Sequence, residues 1–283
     1  MPVSTNINCP IDVVVLASGL NQIVLFDGYI PGYKALIPYH GRASIQYVLD
    51  ALEGVSAVRA ICVEGPRTLL EPELAERLGA QGSTLQLVEG GETFLDSLVI
   101  GLKFFASSPA VLFITADIPL VTAAAIHETL TAWERVPKEP PQSLFITAVP
   151  QTCYKGAYTH FTKPFNRYRD VSLCHGNLFI ADPKLLQHPN LKERINRFYA
   201  GRKNAVTTTL ALGWRLALVY LFGVELLHAL TLKQMARFAS QHLGFGVAPL
   251  LVEHPEITID VDEPDDYCFV RDRIEERSGK EQK

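Results

Sequence analysis

The sequence of 283 residues lacks several features that mark specialised classes of protein. Its five cysteines are scattered singly without a Cys-x-x-Cys pair, which argues against a disulfide framework and against a cysteine-based zinc site. A net charge of only −4 gives no broad basic surface for nucleic acid. The first ten residues contain no lysine, no arginine and no long apolar core, so a secretory signal is not predicted. We therefore expect a cytoplasmic protein that has no nucleic-acid partner.

Several familiar active-site motifs are missing as well. Neither nucleotide-loop pattern, G-x-G-x-x-G or G-x-x-x-x-G-K-[ST], occurs. The G-x-S-x-G elbow and the H-E-x-x-H pair are also absent, which leaves hydrolase functions without support. What is present is an ordinary globular composition, 48% hydrophobic and 20% charged.

One apolar stretch, residues 210–230, is long enough to span a bilayer. It contains Arg215, Glu225 and His228, and an arginine at the centre of a membrane helix is penalised by about 2.5–3.5 kcal/mol. On a helix these three polar groups would fall within an arc of roughly 140°, as in an amphipathic helix. We favour a buried helix or a helix at a homo-oligomer contact. A membrane-surface helix and a true membrane span are the alternatives.

The first half of the chain alternates apolar runs with amphipathic stretches. Ser44 and Gly54 bound one predicted helix, and Thr122 begins another. The alternation predicts an α/β fold with a doubly wound, mostly parallel sheet and helices on both faces. The predicted strands are 11–17, 58–65, 83–91, 110–116 and 143–149, followed later in the chain by 176–181, 247–253 and 256–262.

We expect a single domain over residues 1–283, because no internal repeat or low-complexity linker is evident. Its parts would be a nucleotide-binding half at about 11–150, an acceptor-side and helical elaboration at about 151–250, and a closing strand and helix at 251–277.

Acidic residues follow two of the predicted strands. Asp117 ends the run "VLFITADIPLVT", and burying an unpaired carboxylate inside a strand would cost several kcal/mol. Asp117 should therefore lie at the exposed end of its strand or beside a cation. Asp260 and Asp262 would share one face of a late strand, although Asp262 could instead cap the final helix. Since Mg²⁺ takes one or two carboxylates together with phosphate oxygens and water, Asp117, Asp260 and Asp262 are candidate metal ligands.

A glycine and a lysine follow the first strand. Gly19 would let backbone N–H groups approach a ligand closely, and Lys34 could bring a positive charge to a phosphate. An ordinary turn and a surface lysine are the alternative interpretation.

Taken in order, several stretches resemble the MobA-like nucleotidyltransferases: "VVLASG…KALIPYHGRASIQYVLDAL", "ITADIPLVT", "CHGNLFIADPKLL" and "ITIDVDEPDDY". The motifs of that family are L-A-x-G-x-G-x-R-M-G-x-x-K, G-D-x-P and D-x-D-x-P-E-D, and the resemblance covers nearly the whole chain. It implies a GT-A-like, Rossmann-type fold. It also implies magnesium-dependent transfer of NMP from an NTP to a phosphorylated small-molecule acceptor, with release of pyrophosphate.

The resemblance also implies roles for individual residues. Lys34 would meet the phosphates, Asp117 would bind Mg²⁺, and Asp262 or Asp260 would supply the second acidic position. The residues expected to contact the nucleotide, from the opening loop and from "VEGGETFLDS", are Ala17, Ser18, Gly19, Gly90, Gly91, Thr93 and Ser97. Those expected to contact the acceptor are Lys163 and the turn of His175, Gly176 and Asn177.

The chain departs from the family at its opening motif. Gly19 is followed by Leu20 and Asn21, so the second glycine and the arginine are missing, and Lys34 comes after an insertion. Three explanations stay open: Lys34 suffices, a basic residue such as Lys163 or Arg167 substitutes, or catalysis has been lost. The alternative functions are therefore a degenerate nucleotide-binding or scaffold protein and a glycosyltransferase that uses an NDP-sugar.

Overall fold

The computed structural model describes residues 9–137, 143–159, 161, 164–189, 191 and 230–281. The strands are β1 (Ile11–Leu16), β2 (Pro38–Tyr39), β3 (Arg42–Ala43), β4 (Val58–Gly65), β5 (Leu85–Glu89), β6 (Val111–Thr115), β7 (Leu144–Pro150), β8 (Asn166–Arg167), β9 (Ser172–Ala181) and β10 (Val247–Leu251). The helices are α1 (Ser44–Glu53), α2 (Arg67–Glu73), α3 (Ala75–Gly79), α4 (Phe94–Phe104), α5 (Ala123–Glu134), α6 (Leu232–Leu243) and α7 (Pro264–Glu281). The predictions for Lys163 and for residues 210–229 lie outside the described residues. Within the described ranges, no helix is long and apolar enough to cross a membrane.

Eight of the strands form one sheet in the order β10-β7-β9-β6-β1-β4-β5, with β8 also paired to β9. β9 runs antiparallel to its neighbours β6, β7 and β8, and the other strand pairs of the sheet are parallel. The predicted α/β fold with a mostly parallel sheet is confirmed.

The central strand β1 shows why the sheet is covered on both faces. Val13 and Val15 pack into a core cluster that includes residues of α1 and α5, whereas Val14 packs with residues of α4. Successive strand residues point to opposite faces, so an uninterrupted apolar run needs helices on both sides.

The parallel strands end together along one edge of the sheet. Leu16 at the end of β1 is in register with Thr115 of β6 and with Glu64 of β4. Glu64 is in turn in register with Val88 of β5. The turns that follow these four strands therefore emerge side by side, at the edge where α/β sheets bind ligands. We call this the carboxyl edge.

The strand predicted over 256–262 is wrong. The chain forms a 3-10 helix at Pro255–Thr258, and irregular backbone leads from there into α7. Pro255 has no N–H to donate to a strand ladder, and the Thr258 hydroxyl donates to the Pro255 carbonyl oxygen at 2.8 Å. The apolar alternation instead places Ile259 and Val261 in a cluster with α7, without strand pairing.

Two predicted helix boundaries have different outcomes. Thr122 caps α5 as predicted, since its hydroxyl accepts from the Ala125 N–H at 3.1 Å. Ser44 does not cap α1. It is the first residue of the helix, and its buried hydroxyl donates to the Ala116 carbonyl oxygen at 2.8 Å, which ties α1 to the turn after β6.

Helix α4 packs against the sheet through a residue without a side chain. A Cβ added to Gly101 would lie 2.8 Å from Cε1 of Phe113 and 2.9 Å from Cγ2 of Val14. The glycine therefore lets α4 approach the sheet closely.

Replacement of this glycine should destabilise the protein. We expect Gly101→Ala to lower the free energy of unfolding by about 1–3 kcal/mol through overpacking, although alanine alone favours a helix by about 1 kcal/mol. The matched control is Gly279→Ala in α7, where an added Cβ would meet nothing within 4 Å. Urea unfolding measures both variants, and equal stabilities would contradict the close packing.

Candidate active site at the carboxyl edge of the sheet

Gly19 and Lys34 are neighbours in space although an insertion separates them in sequence. The Lys34 N–H donates to the Gly19 carbonyl oxygen at 2.8 Å. An antiparallel bridge between Leu20 and Tyr33 closes the insertion at its base. The insertion therefore loops out, and Lys34 stays beside the end of β1.

The side chain of Lys34 contacts two carboxylates from distant parts of the chain. Its Nζ donates to Oδ2 of Asp117 at 3.1 Å and also to Oδ1 of Asp262. The side chains of Lys34 and Asp117 are only 17% and 13% exposed, whereas that of Asp262 is 54% exposed. The cluster is thus closed on the side of Asp117 and open on the side of Asp262. We call these three residues the lysine–carboxylate cluster.

The charges of the cluster control the protonation of its lysine. Burial alone lowers the pKa of Lys34, but the carboxylates of Asp117 and Asp262 outweigh burial and raise the pKa above its ordinary value. Lys34 is therefore a cation at neutral pH.

The structure also shows why the Asp262 side chain is available. At the start of α7, Oδ2 of Asp266 accepts from the N–H groups of Asp262 and Glu263 at 3.1 and 3.0 Å. Asp266, and not Asp262, therefore satisfies these helix-start donors.

Asp260 lies half-buried between the buried residues Ile259 and Val261, and the carboxylate contacts of Lys34 come from Asp117 and Asp262.

The donor set fits a cation that keeps part of its ligand shell from elsewhere. Oδ1 of Asp117 is buried and has no hydrogen-bond partner among the described residues. Within those residues, no group of three His, Cys, Asp or Glu side chains could hold a metal ion by itself. Two carboxylates completed by phosphate oxygens and water are the usual environment of Mg²⁺, and the cluster supplies the two carboxylates.

The turns after β1, β4 and β5 pack closely at the positions predicted to contact a nucleotide. The Ala17 N–H donates to the Glu64 carbonyl oxygen at 2.7 Å, and the Gly90 N–H to the Gly65 carbonyl oxygen at 3.1 Å. A Cβ on Gly90 would collide with Oγ of Ser18, which is buried without a partner among the described residues. The structure thus brings Ala17, Ser18 and Gly90 together.

The turn before α4 is equally tight. A Cβ on Gly91 would lie 2.5 Å from the backbone nitrogen of Ser97. The Thr93 hydroxyl accepts from the Asp96 N–H at 3.1 Å and donates to the Asp96 carboxylate at 2.7 Å. Thr93 is therefore the N-cap of α4, which accounts for this residue without a ligand.

The sequence analysis did not identify one buried acid at this edge. Glu64, the penultimate residue of β4, is fully buried, and its Oε1 accepts from the Gly91 N–H at 2.8 Å. Burial raises the pKa of Glu64, while the Ser97 hydroxyl and the Gly91 N–H oppose that rise. The signal was the same as for Asp117, an acid that ends a buried strand.

On the acceptor side, the strand predicted at 176–181 is confirmed and begins earlier, at Ser172, so His175, Gly176 and Asn177 lie inside β9 and do not form the turn that the resemblance implied. They face a register irregularity of β7 around Thr147, whose hydroxyl oxygen a Cβ on Gly176 would meet. The Asn177 side chain donates to the Ile257 carbonyl oxygen at 3.3 Å. The triplet therefore supports the segment that leads to Asp262.

The model of the MobA-like NTP transferase domain matches residues 13–159, which is more than half of the chain. The chain belongs to this family. The matched range includes Gly19, Lys34 and Asp117, whereas Asp262 lies beyond it.

A search of curated proteins found no match. Among solved structures, a hypothetical transferase from Thermus thermophilus is 25% identical, with a TM-score of 0.71 over 91% of this chain and 99% of its own. A CMP:2-keto-3-deoxy-manno-octonic acid synthetase in complex with CTP is 13% identical, with a TM-score of 0.57 over 95% and 99% of the two chains. A 4-diphosphocytidyl-2C-methyl-D-erythritol synthase from Anaerococcus prevotii is 14% identical, with a TM-score of 0.54 over 94% and 96%. The last two share the fold alone with this chain.

The basic residues considered for the missing MobA-like arginine lie away from the opening loop in sequence. Arg167 is in β8, which pairs with β9 through Ser172, and Lys163 is outside the described residues. The insertion between Gly19 and Lys34 packs against α7 through Phe26, whose ring stacks on that of Tyr267 with 4.5 Å between the ring centroids.

A charged cluster fixes the segment before Asp262. His254 lies between Glu256, at 3.0 Å from Nδ1, and Glu128 of α5, at 3.2 Å from Nε2. Glu256 also accepts from the Thr122 hydroxyl at 3.1 Å. The hydrogen bond to Glu256 raises the pKa of His254 despite partial burial. Burial by itself raises the pKa of Glu256, but hydrogen bonds, including the one from His254, bring it below its ordinary value.

These shifts predict a pH-dependent stability. The contribution of His254 to the free energy of unfolding should be complete below its unfolded pKa of about 6.5 and should be lost as pH rises through its raised folded pKa. The contribution of Glu256 should be present above its unfolded pKa of about 4.3 and should be lost as pH falls through its lowered folded pKa. His254→Gln should therefore reduce stability more at about pH 5.5 than at about pH 8. Urea unfolding of the wild type, His254→Gln and the control His127→Gln at both pH values measures this, and a pH-independent effect would contradict the assignment.

Proposed function

We propose that the protein is a magnesium-dependent nucleotidyltransferase that transfers NMP from an NTP to a phosphorylated small-molecule acceptor and releases pyrophosphate. The observation that carries the proposal is the lysine–carboxylate cluster. In this cluster a lysine, which can bind phosphate, lies beside two carboxylates, which can bind Mg²⁺, at the carboxyl edge of the sheet of a MobA-like domain.

Asp117 and Asp262 would hold the metal. Asp117 offers a buried oxygen without a partner among the described residues, and Asp262 offers an exposed carboxylate. When bound, Mg²⁺ would neutralise phosphate charge and orient the reacting groups. Asp260 stays a candidate for a supporting acidic position.

The reaction needs positioning more than proton transfer. An oxygen of the acceptor phosphate, already ionised, attacks the α-phosphorus in line, and the bond from that phosphorus to the bridging oxygen of the β-phosphate breaks. Pyrophosphate leaves with the bonding electron pair. No general base is required in this scheme.

Lys34 would stabilise the phosphates, which requires it to change partners. In the structure its ammonium group binds the same carboxylates that would hold the metal. Binding of the metal–nucleotide complex would draw Lys34 from the carboxylates to the phosphate oxygens, which are stronger and more numerous acceptors.

The packed turns after β1 and β5 would hold the nucleoside. Ser18 and Gly90 meet at this edge, and Ala17, Gly19, Gly91 and Ser97 lie in the same turns or next to them. The acceptor would approach from the β9 side, near exposed His175. The structure of similar fold that was determined in complex with CTP supports a nucleotide ligand.

Loss of Asp117 should abolish turnover while the fold survives. We expect Asp117→Asn to reduce pyrophosphate release from ATP, CTP, GTP or UTP, with pooled phosphorylated metabolites as acceptors, by at least about 100-fold. Asp272→Asn, an exposed acid of α7 paired with Arg271, is the matched control. Normal release by folded Asp117→Asn would refute the mechanism. Tight NTP binding by the wild type without any turnover would favour the degenerate scaffold, and release of NDP from an NDP-sugar would favour the glycosyltransferase.

Removal of Lys34 should open the carboxylates to a cation. Without nucleotide, we expect Lys34→Gln to bind Mn²⁺ about tenfold more tightly than the wild type, because no ammonium has to be displaced. Lys34→Arg keeps the positive charge and should resemble the wild type. Electron paramagnetic resonance of free Mn²⁺ measures these affinities without turnover. Equal affinities of Lys34→Gln and the wild type would show that the lysine and the metal do not share a site.

A further inference from the structure

Glu64 stands out at the carboxyl edge as a fully buried acid that the proposed chemistry does not use. Its Oε1 accepts from the Gly91 N–H at 2.8 Å, and its Oε2 has no hydrogen-bond partner among the described residues. A buried acidic group with one oxygen unsatisfied is costly to the fold, so its retention calls for an explanation.

The side chains around Glu64 belong to the segment expected to contact the nucleobase. Gly91 and Ser97 both act on its carboxyl group, and both lie in the stretch "VEGGETFLDS". The in-register neighbours of Glu64 in β1 and β5 are the apolar residues Leu16 and Val88. The carboxyl group therefore links the end of β4 to the turn before α4 through a side chain, beside the backbone hydrogen bond between Gly90 and Gly65.

The turn cannot be held by side chains of its own. Gly90 and Gly91 have none, and neither position has space for a Cβ. Glycines also give a free chain more conformations than other residues. Hydrogen bonds from the end of β4 hold its backbone instead: the Gly65 carbonyl oxygen accepts from the Gly90 N–H at 3.1 Å, and the Glu64 carboxyl group accepts from the Gly91 N–H at 2.8 Å. Of these two acceptors, only that of Glu64 is a side chain, so only it can be removed by substitution.

We propose that Glu64 is the positioning residue of the nucleobase turn: by accepting from the Gly91 N–H it fixes Gly90 and Gly91 in the orientation that a bound base would contact. The inference rests on the proposed function, since it assumes that a nucleotide binds at this edge. Glu64 acts through the turn and lies one layer below it, because it is fully buried while Ser18, Gly90 and Gly91 are half-exposed.

Two ligands distinguish a role of Glu64 in positioning the nucleobase turn from a general effect on the fold. An NTP would contact both the turn and the lysine–carboxylate cluster, whereas inorganic tripolyphosphate would contact only the phosphate side. If the turn loses its orientation, binding of the NTP should weaken, and binding of tripolyphosphate should stay almost unchanged.

The test uses variants of matched size. Glu64→Met removes both acceptors at similar length, Glu64→Gln keeps an amide oxygen for the Gly91 N–H, and Glu64→Asp shortens the side chain. The control is Asp12→Asn, a buried acid at the opposite end of β1 that accepts from Nε of Arg59 at 2.9 Å and from the Ser108 hydroxyl. Isothermal titration with Mg²⁺ measures the dissociation constants of the best-bound NTP and of tripolyphosphate, and thermal unfolding reports stability.

We expect Glu64→Met to raise the dissociation constant of the NTP about tenfold or more, with that of tripolyphosphate changed less than about twofold. Glu64→Gln should restore most of the NTP affinity. Asp12→Asn should lower the melting temperature without changing either constant. If Glu64→Met does not fold, Glu64→Asp carries the same expectation.

Unchanged NTP affinity in folded Glu64→Met or Glu64→Asp would overturn the inference, and so would equal losses for the NTP and tripolyphosphate. Failure of the wild type to bind any of the four NTPs would overturn the proposed function itself. The two failures are therefore distinguishable.

Discussion

The ammonium group of Lys34 joins three parts of the chain that are far apart in sequence. It contacts Asp117 from the turn after β6 and Asp262 from the segment before α7. Two carboxylates at this spacing would repel each other if no cation stood between them. The lysine therefore stabilises the convergence of the acids, and the metal and phosphate sites suggested for this edge depend on that convergence.

The same edge concentrates buried polar atoms that have no partner among the described residues. They include Oγ of Ser18, Oε2 of Glu64, Oγ1 of Thr115 and Oδ1 of Asp117. Each such atom costs a fold about 1–3 kcal/mol, and these four lie on or just after strands that end side by side. Polar groups left unsatisfied in one place are what a site for a polar ligand requires, since the ligand supplies the missing bonds.

Much of this arrangement could be predicted from the sequence. The apolar runs of the first half gave the strand positions and the two-sided sheet, because a buried parallel strand has a strong and local signal. The position of Asp117 followed from the cost of burying an acid. Asp262 was named as a candidate ligand from its place at the end of a predicted strand and from the order of motifs, and the contact with Lys34 forms although that strand does not.

The two wrong predictions of secondary structure, at 256–262 and at His175, have a common physical cause. The alternation over 256–262 has the period of a strand, but Pro255 cannot donate to a strand ladder, and Ile259 and Val261 are buried against α7 without strand pairing. The triplet at His175 contains a glycine and an asparagine, which favour turns locally, yet β9 pairs with β7 on both sides of Gly176 and Asn177 and continues through them. In both cases tertiary contacts overrode a local preference. Glu64 differs from these two cases: it carries the same local signal as Asp117, but its role depends on Gly91 and Ser97, which become neighbours of Glu64 only when β4 and β5 pair.

The missing arginine of the opening motif can be considered in terms of charge. One lysine and two carboxylates give the cluster a net negative charge, so these three residues alone would repel an NTP polyanion. A second cation is therefore needed before phosphates can approach, and a divalent ion that arrives with the NTP would reverse the sign of the site and release Lys34 for the phosphates at once. The arginine of related enzymes is dispensable on this account if the metal and Lys34 act together. The two acids and the lysine would then compensate for the missing arginine in charge, so its absence does not by itself remove nucleotide binding at this edge.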